Sequence, residues 1–372
     1  MAGIKTRHSD FASGPNNATN RQEINLSDLA TRKGDHINLT LSHDVEMKRR
    51  DGFEVYHFTH KALPEIDFGD VSVRTTFLNH PLQAPVLISS MTGGTEHGAI
   101  INRNLASAAR SLGIAMAVGS QRIMLEQPDI ALSTFQIVRQ TAPDIPLFGN
   151  LGAIQLNNGY GVEHVKRAVS AIGAQGIFLH LNPLQEVVQP EGQTNFGGLL
   201  SKIAAVVRNV PFPVLVKEVG NGISPQIAKD LEKLGVAAID VSGAGGTSWA
   251  KIEGLRATQS IKQALGDVFR DWGIATPQSV IACRAQLPQM PLIASGGIRT
   301  GLDAAKALAL GADMVSIARP LVAPALESAE AVVGVLKQFI LELRVAMFLV
   351  GAPTIGALKQ SPLTVSAVTA FR

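Results

Sequence analysis

The feature that most constrains this chain is a unit that recurs eight times between residues 84 and 320: a short apolar run, a polar or Gly-rich turn, then a segment of helical periodicity. The runs are PVLISS (85–90), IAMAVG (114–119), PLFGNL (146–151), GIFLHL (176–181), PVLVKEV (213–219), AAIDVSG (237–243), PLIASGG (291–297) and MVSIARP (314–320). Near-continuous apolar runs belong to strands covered on both faces, and parallel strands need crossovers, which here are helical. IINRNLASAARSLG (100–113), VEHVKRAVSAIGA (162–174), PQIAKDLEKLG (225–235) and GLDAAKALALG (301–311) supply that periodicity. Eight such units in series favour a closed (β/α)8 barrel, an α/β fold, over an open doubly wound sheet. Two gaps are longer, 183–198 after the fourth run and 244–274 after the sixth, and in a barrel these βα insertions lie over the active-site face.

At 372 residues there is room for one large α/β domain, and 46% hydrophobic content with 35 Gly and few aromatics suits aliphatic layers joined by tight turns. A net charge of +3 leaves no nucleic-acid footprint, although a local basic site for a phosphorylated small molecule fits it. Cys283 is the single cysteine, so no intramolecular disulfide forms and a reducing, cytoplasmic setting is expected. The first 25 residues, rich in Asn, Ser and Thr, lack the apolar segment of a secretory signal and read as a disordered tail. Residues 26–83 read as an N-terminal arm and extended segment, with an edge hairpin or extended arm from Phe53 to Phe77, and residues 84–372 as the barrel. The stretch 332–351 is interrupted by Lys337, Glu342 and Arg344, which predicts a buried helix and no membrane span.

Barrel active sites sit at the C-terminal strand ends, and nearly every run here ends in something polar. The fourth ends in HLNPLQE (180–186): alternation puts His180 and Asn182 on one face, Pro183 forces the chain out of the sheet, and Gln185 and Glu186 fall in the loop beyond. An imidazole, two amides and a carboxylate so close together suit a divalent metal, an anionic substrate and a moving proton, though a buried His or Asn at a strand end also serves as a satisfied core polar group. SGGIRTG (295–301), between the seventh strand and its helix, suits a phosphate cradled by backbone N–H groups, with Arg319 donating from the eighth strand. Lys217 faces the mouth, where it either meets an electron-rich ring edge or pairs with Glu218. Thr92, Ser120 and Asn150 offer small donors and acceptors for a planar heterocycle, and GAGGTSW (243–249) adds hydroxyls and N–H groups. Trp249 is either a packing residue or an apolar wall. Upstream, LATRKGDHINLTL places Arg32 and His36 on one helix face beside Lys33, which suits a diphosphate held by a movable arm or, equally, a solvated basic face.

RKGDH, SSMTGG, GSQR, HLNPLQE, VKEVG, GAGGTSW and SGGIRTG, in this order, resemble the type II, flavin-dependent isopentenyl diphosphate isomerases from about Thr31 to the C-terminus. The resemblance implies a barrel that binds FMN and Mg²⁺ and interconverts isopentenyl and dimethylallyl diphosphate, a small-molecule substrate, in a tetramer or octamer. It implies substrate contacts from Arg32, Lys33, His36, Ser120, Gln121, Arg122, Asn182 and Gln185, with Gln185 and His180 in catalysis and Glu186 on Mg²⁺. It implies FMN contacts from Ser90, Met91, Thr92, Ser120, Asn150, Lys217, Ser242 and Thr247, and phosphate contacts from Gly296, Gly297, Arg299, Ala318 and Arg319. Moving the double bond requires one proton added and another removed across an allylic unit, and no ordinary side chain here is an obvious strong acid. A reduced flavin supplies both an ionisable edge and an electron-rich face, so acid–base use of FMN without net redox is expected, with NADPH or NADH as the activating reductant.

Two enzyme alternatives share parts of this pattern. A 2-hydroxy-acid oxidase on the same barrel needs a His base after the seventh strand, and no His occurs from Gly273 to Ser295. A dehydrogenase with a covalent thiol step would have to use Cys283, which lies in a helical stretch away from any strand end. A non-catalytic flavin or diphosphate sensor would lack reason to keep Gln185, Glu186 and the basic arm together.

Overall fold

The computed structural model describes residues 26–49 and 51–366, so the N-terminal tail expected over 1–25 lies outside it. The eight apolar runs form β1 (Val86–Ile88), β2 (Ala115–Ala117), β3 (Leu147–Gly152), β4 (Gly176–Leu181), β5 (Val214–Glu218), β6 (Ala238–Asp240), β7 (Leu292–Ala294) and β8 (Met314–Ile317). They close into one parallel barrel in chain order, with β8 pairing back onto β1. This is the (β/α)8 barrel.

Period-2 alternation sorts the barrel interior into two layers. The lower is apolar: Leu87, Ala115, Phe148, Phe178, Leu215, Ala238, Ile293 and Met314 pack together with Phe77 and Leu82. Phe77 and Leu82 come from a hairpin, Thr75–Phe77 with His80–Leu82, that plugs the N-terminal end of the barrel. Its turn residues Leu78 and Asn79 take φ of 46° and 67°, the left-handed pair of a type I′ turn. Two residues further along, every strand but β2, which has Ala117 there, turns polar inside, giving Ser89, Asn150, His180, Lys217, Asp240, Ser295 and Ser316. The change of layer, apolar below and polar above, is what places chemistry at the C-terminal mouth.

Three local expectations are corrected. The hairpin expected between Phe53 and Phe77 starts only at Thr75 and is a barrel plug; upstream, Tyr56–Phe58 pairs antiparallel with Leu363–Val365. Gln185 and Glu186 sit on a short helix, Pro183–Val188, because Pro183 takes the first helical position, where a missing N–H costs nothing. The late apolar stretch forms a helix, Ala329–Leu349, with one buried face (Val332, Leu336, Phe339, Leu343) and one open face, where Leu341, Val345 and Leu349 are 40–50% exposed. Among the described residues no helix is long and apolar enough to cross a membrane.

Three elements roof the mouth. Helix α1 (Leu26–Ser42) carries the basic arm, α2 (Pro183–Val188) follows β4, and α3 (Trp249–Arg256) follows β6. The strap after α1 is fixed to the β6 insertion: Ser248 N donates to Val45 O (2.8 Å), Met47 N to Gly246 O (2.8 Å), and Arg270 to Asp44 and to Glu46 O (2.7 Å). Arm and insertion thus form one cover.

Candidate active site

One continuous cavity at the mouth is lined by nearly every residue singled out above: Arg32, Lys33, His36, Ser90, Met91, Thr92, Ser120, Arg122, Asn150, His180, Asn182, Gln185, Glu186, Lys217, Ser242, Thr247, Gly296, Gly297, Arg299, Ala318 and Arg319. Gln121 is the exception. It is fully buried; its amide donates to Ala168 O (2.7 Å) and accepts from Asn150 N (2.9 Å), so it braces β3 beneath the cavity. The alternation that carries Ser120 into the mouth turns its neighbour away.

On one side the lining suits a planar ring with a phosphate tail. Gly296 and Gly297, with φ of 92° and 78°, let backbone approach backbone: a Cβ on Gly296 would fall 2.0 Å from Gly243 O, and one on Gly246 would fall 2.7 Å from Gly297 N. Arg299 and Arg319 face this cradle, and both hold the carboxylate of Glu46 from the strap, Arg299 Nη2 at 2.7 Å. An internal anion thus sits where a phosphate is expected. Deeper in, Thr92 Oγ1 is buried without a partner, an orphan that a ring edge would satisfy. Asn150 donates to Ser90 Oγ (2.9 Å) and accepts from His180 Nδ1 (2.9 Å), which leaves Nε2 of that imidazole facing the lumen. Burial, then the positive charges of Lys217, Arg32 and Lys33, push His180 down to about 3, so its ring is neutral. Ser242, two residues past the end of β6, takes φ of 39°, a left-handed conformation that a non-Gly residue adopts only when its surroundings hold it.

On the other side, the roof supplies charge. Lys33 Nζ donates to Ser120 O (2.8 Å) over the ring of Phe135, and burial followed by neighbouring Arg32 brings its ammonium down to about 7. Arg32 lies 3.7 Å from Glu191, and Arg122 donates to Glu126 (2.8 Å). His36 Nε2 bonds Glu253 Oε1 at 2.9 Å and its ring stands edge-on to Trp249, with centroids 5.0 Å apart. Asn182 Nδ2 reaches both Gln185 Oε1 (3.2 Å) and Glu186 Oε1 (2.9 Å), while Asn182 Oδ1 is buried and unpartnered. Burial pushes the Glu186 carboxyl up, against hydrogen bonds from Gln193 N and Asn182.

Glu253 is the residue that sequence reading missed. Wholly buried on α3, it accepts from Gln185 Nε2 (2.8 Å) and from Arg256 (2.7 Å) besides bonding His36, and so joins α1, α2 and α3 at one carboxylate. Burial alone would raise it; the charge and hydrogen bond of His36, then Arg256 and Gln185, overcome that and hold it at about 2. Its signal was available: it stands four residues after Trp249, on the same helix face.

The sequence aligns at 48% identity over 332 residues with an isopentenyl-diphosphate delta-isomerase of Nostoc, covering 89% of this chain and 94% of that protein. It aligns at 48% over 336 residues with the isopentenyl-diphosphate delta-isomerase of Pseudescherichia vulneris, covering 90% and 96%. The chain belongs to the type II isopentenyl-diphosphate delta-isomerase family. Residues 191–365 also match the family of FMN-dependent dehydrogenases. In fold, the chain is similar to a lactate oxidase of Pediococcus acidilactici (TM-score 0.66, 19% identity, covering 92% of this chain and 95% of that one) and to a mandelate oxidase (TM-score 0.64, 20% identity, 93% and 99%). At that identity the likeness to the oxidases is one of architecture. Consistent with this, among the described residues the histidines lining the cavity are His36 and His180, neither of them after β7.

Proposed function

We propose that this chain interconverts isopentenyl and dimethylallyl diphosphate, with the diphosphate held under the α1 arm and a reduced FMN seated on the glycine cradle. The observation that carries it is the two-sided cavity: a backbone cradle with two arginines on one wall, and Arg32, Lys33, Arg122 and His36 on the other. A flavin bound there supplies a proton-exchanging ring edge and an electron-rich face. The chain's own groups do the rest. A polyanion between Arg32 and Lys33 relieves their mutual repulsion and draws Lys33 back to its charged form. Gln185 is fixed at both ends of its amide, by Asn182 and Glu253, so it presents one orientation to the reacting carbons. Neutral His180 offers Nε2 as an acceptor without adding charge where tertiary cationic character develops. Trp249 closes that space with an aromatic wall and keeps water from trapping the cation.

For Mg²⁺ the donor set fits a shared site. No cluster of three or more His, Cys, Asp or Glu exists among the described residues, but Glu186 and the unpartnered Asn182 Oδ1 face the diphosphate side. Magnesium commonly takes one or two protein oxygens and completes its shell with substrate phosphate and water. Activation by NADPH or NADH, a tetrameric or octameric assembly and a cytoplasmic location rest on the family resemblance. The division into an arm over 26–83 and a barrel from 84 rests on the roofing role of α1. The test is anaerobic: FMN-loaded protein, dithionite, Mg²⁺ and isopentenyl diphosphate should yield dimethylallyl diphosphate. Bound, reduced flavin without product would overturn the proposal.

A further inference from the structure

Among the described residues, Asp240 is the one carboxylate in the polar layer of the barrel interior, and the roles above do not use it. It lies on β6 in the polar layer, 0% exposed. Oδ1 accepts from Ser295 Oγ (2.6 Å) and Ser242 N (3.1 Å), while Oδ2 is buried without any partner. A buried, half-satisfied carboxylate is costly, so its retention calls for a compensating charge. The register supplies one. Asp240 is the direct cross-strand partner of Lys217 on β5, and Lys217 in turn of His180 on β4. Side chains at paired positions of parallel strands point the same way, here into the barrel. Lys217 reaches the cavity; Asp240, absent from its lining, lies beneath. Around the pair, His180 is neutral, and Glu218, pushed up by burial to about 7, turns its carboxylate to the backbone N–H groups of Val219, Gly220 and Asn221, the first two at 2.6 Å, while the Lys217 ammonium donates to the Glu218 carbonyl oxygen.

We propose that Asp240 is a positioning residue whose buried carboxylate, on the strand position beside Lys217 and without a direct ion pair to it, offsets the field of the Lys217 ammonium under the flavin. The inference rests on the FMN reading above and deepens it. A lone lysine under the ring would favour the anionic form of the reduced flavin. Acid–base use without net redox is better served by a neutral reduced flavin, which still has a proton to give. Asp240 offsets the lysine's field without touching the flavin. Desolvation pushes the Asp240 carboxyl up, and the charge of Lys217 opposes that.

The test uses the FMN-loaded full chain with Asp240→Asn, which keeps the shape and removes the charge. Three readouts separate an electrostatic role from a structural one. The ultraviolet-visible spectrum of the dithionite-reduced enzyme should shift from the neutral toward the anionic reduced flavin. The oxidised enzyme should bind sulfite, which forms an anionic flavin adduct, at least tenfold more tightly. The two-electron midpoint potential should rise, and tenfold tighter holding of reduced over oxidised flavin corresponds to about 30 mV. Should Asp240→Asn fold poorly, Asp240→Ser removes the same charge with a smaller side chain, and the two should shift alike. An unchanged or lower potential in a folded, FMN-saturated variant overturns the inference. Failure of the wild-type chain to bind FMN would instead overturn the function on which it rests.

Discussion

Substituting Glu253 by Gln keeps the size of the side chain and removes the charge that joins the three roof elements. The ring of His36, on the helix that carries Arg32 and Lys33, bonds this carboxylate at 2.9 Å and so ties that helix to α3. A charge-assisted hydrogen bond contributes about 1.5–3 kcal/mol. If that energy docks the arm, its loss raises KM for isopentenyl diphosphate by roughly 10- to 150-fold. Gln185 loses its charged acceptor at 2.8 Å in the same change, so kcat falls as well. A second consequence follows from ionisation. A carboxyl held at about 2 against its usual 4.5 stabilises the folded chain above pH 4.5 and loses that contribution as pH falls toward 2. The depression corresponds to about 3 kcal/mol. Steady-state rates with saturating FMN and Mg²⁺ give the KM and kcat effects, and thermal melts between pH 7 and 3 give the stability effect. Wild-type KM in a folded Glu253→Gln variant, or an acid limb identical to the parent's, would refute the reasoning.

Glu46→Gln removes the anion that Arg299 and Arg319 hold in the apo chain, and FMN should bind several-fold more tightly by fluorescence titration; weaker binding would show that Glu46 supports the arginines instead. With its ammonium near 7, Lys33 should give a KM for diphosphate that rises as pH increases from about 6 to 8.5, and Lys33→Arg should flatten that limb in a pH series. Glu186→Gln should raise the Mg²⁺ concentration for half-maximal rate about tenfold or more while the FMN dissociation constant stays put. Equal loss of both would move Glu186 out of the metal site.

The barrel was legible because its signal is repeated: eight apolar runs with helical crossovers constrain topology more tightly than any single run does. The cavity-lining residues were legible for a related reason, since in a barrel the C-terminal end of each strand faces the same mouth. What stayed hidden depends on contacts between elements far apart in the chain. Glu253 matters through His36, which lies 217 positions away, and Glu46 through Arg299, which lies 253 away; neither partner can be chosen from local spacing. Gln121 illustrates the converse, a polar residue in the right motif whose side chain the strand's alternation sends into the scaffold. Asp240 sits among apolar neighbours in a run that reads as ordinary strand, and only the cross-strand register with Lys217 gives it meaning.

The most direct test of the central claim counts turnovers against electrons. FMN-loaded enzyme is reduced once, anaerobically, with a measured amount of NADPH or dithionite, and then given Mg²⁺ and excess isopentenyl diphosphate while flavin absorbance is followed. Many molecules of dimethylallyl diphosphate per reducing equivalent, with the flavin still reduced at the end, is the predicted result. Product formed in step with flavin oxidation, or turnover undiminished when the flavin is kept oxidised throughout, would contradict it.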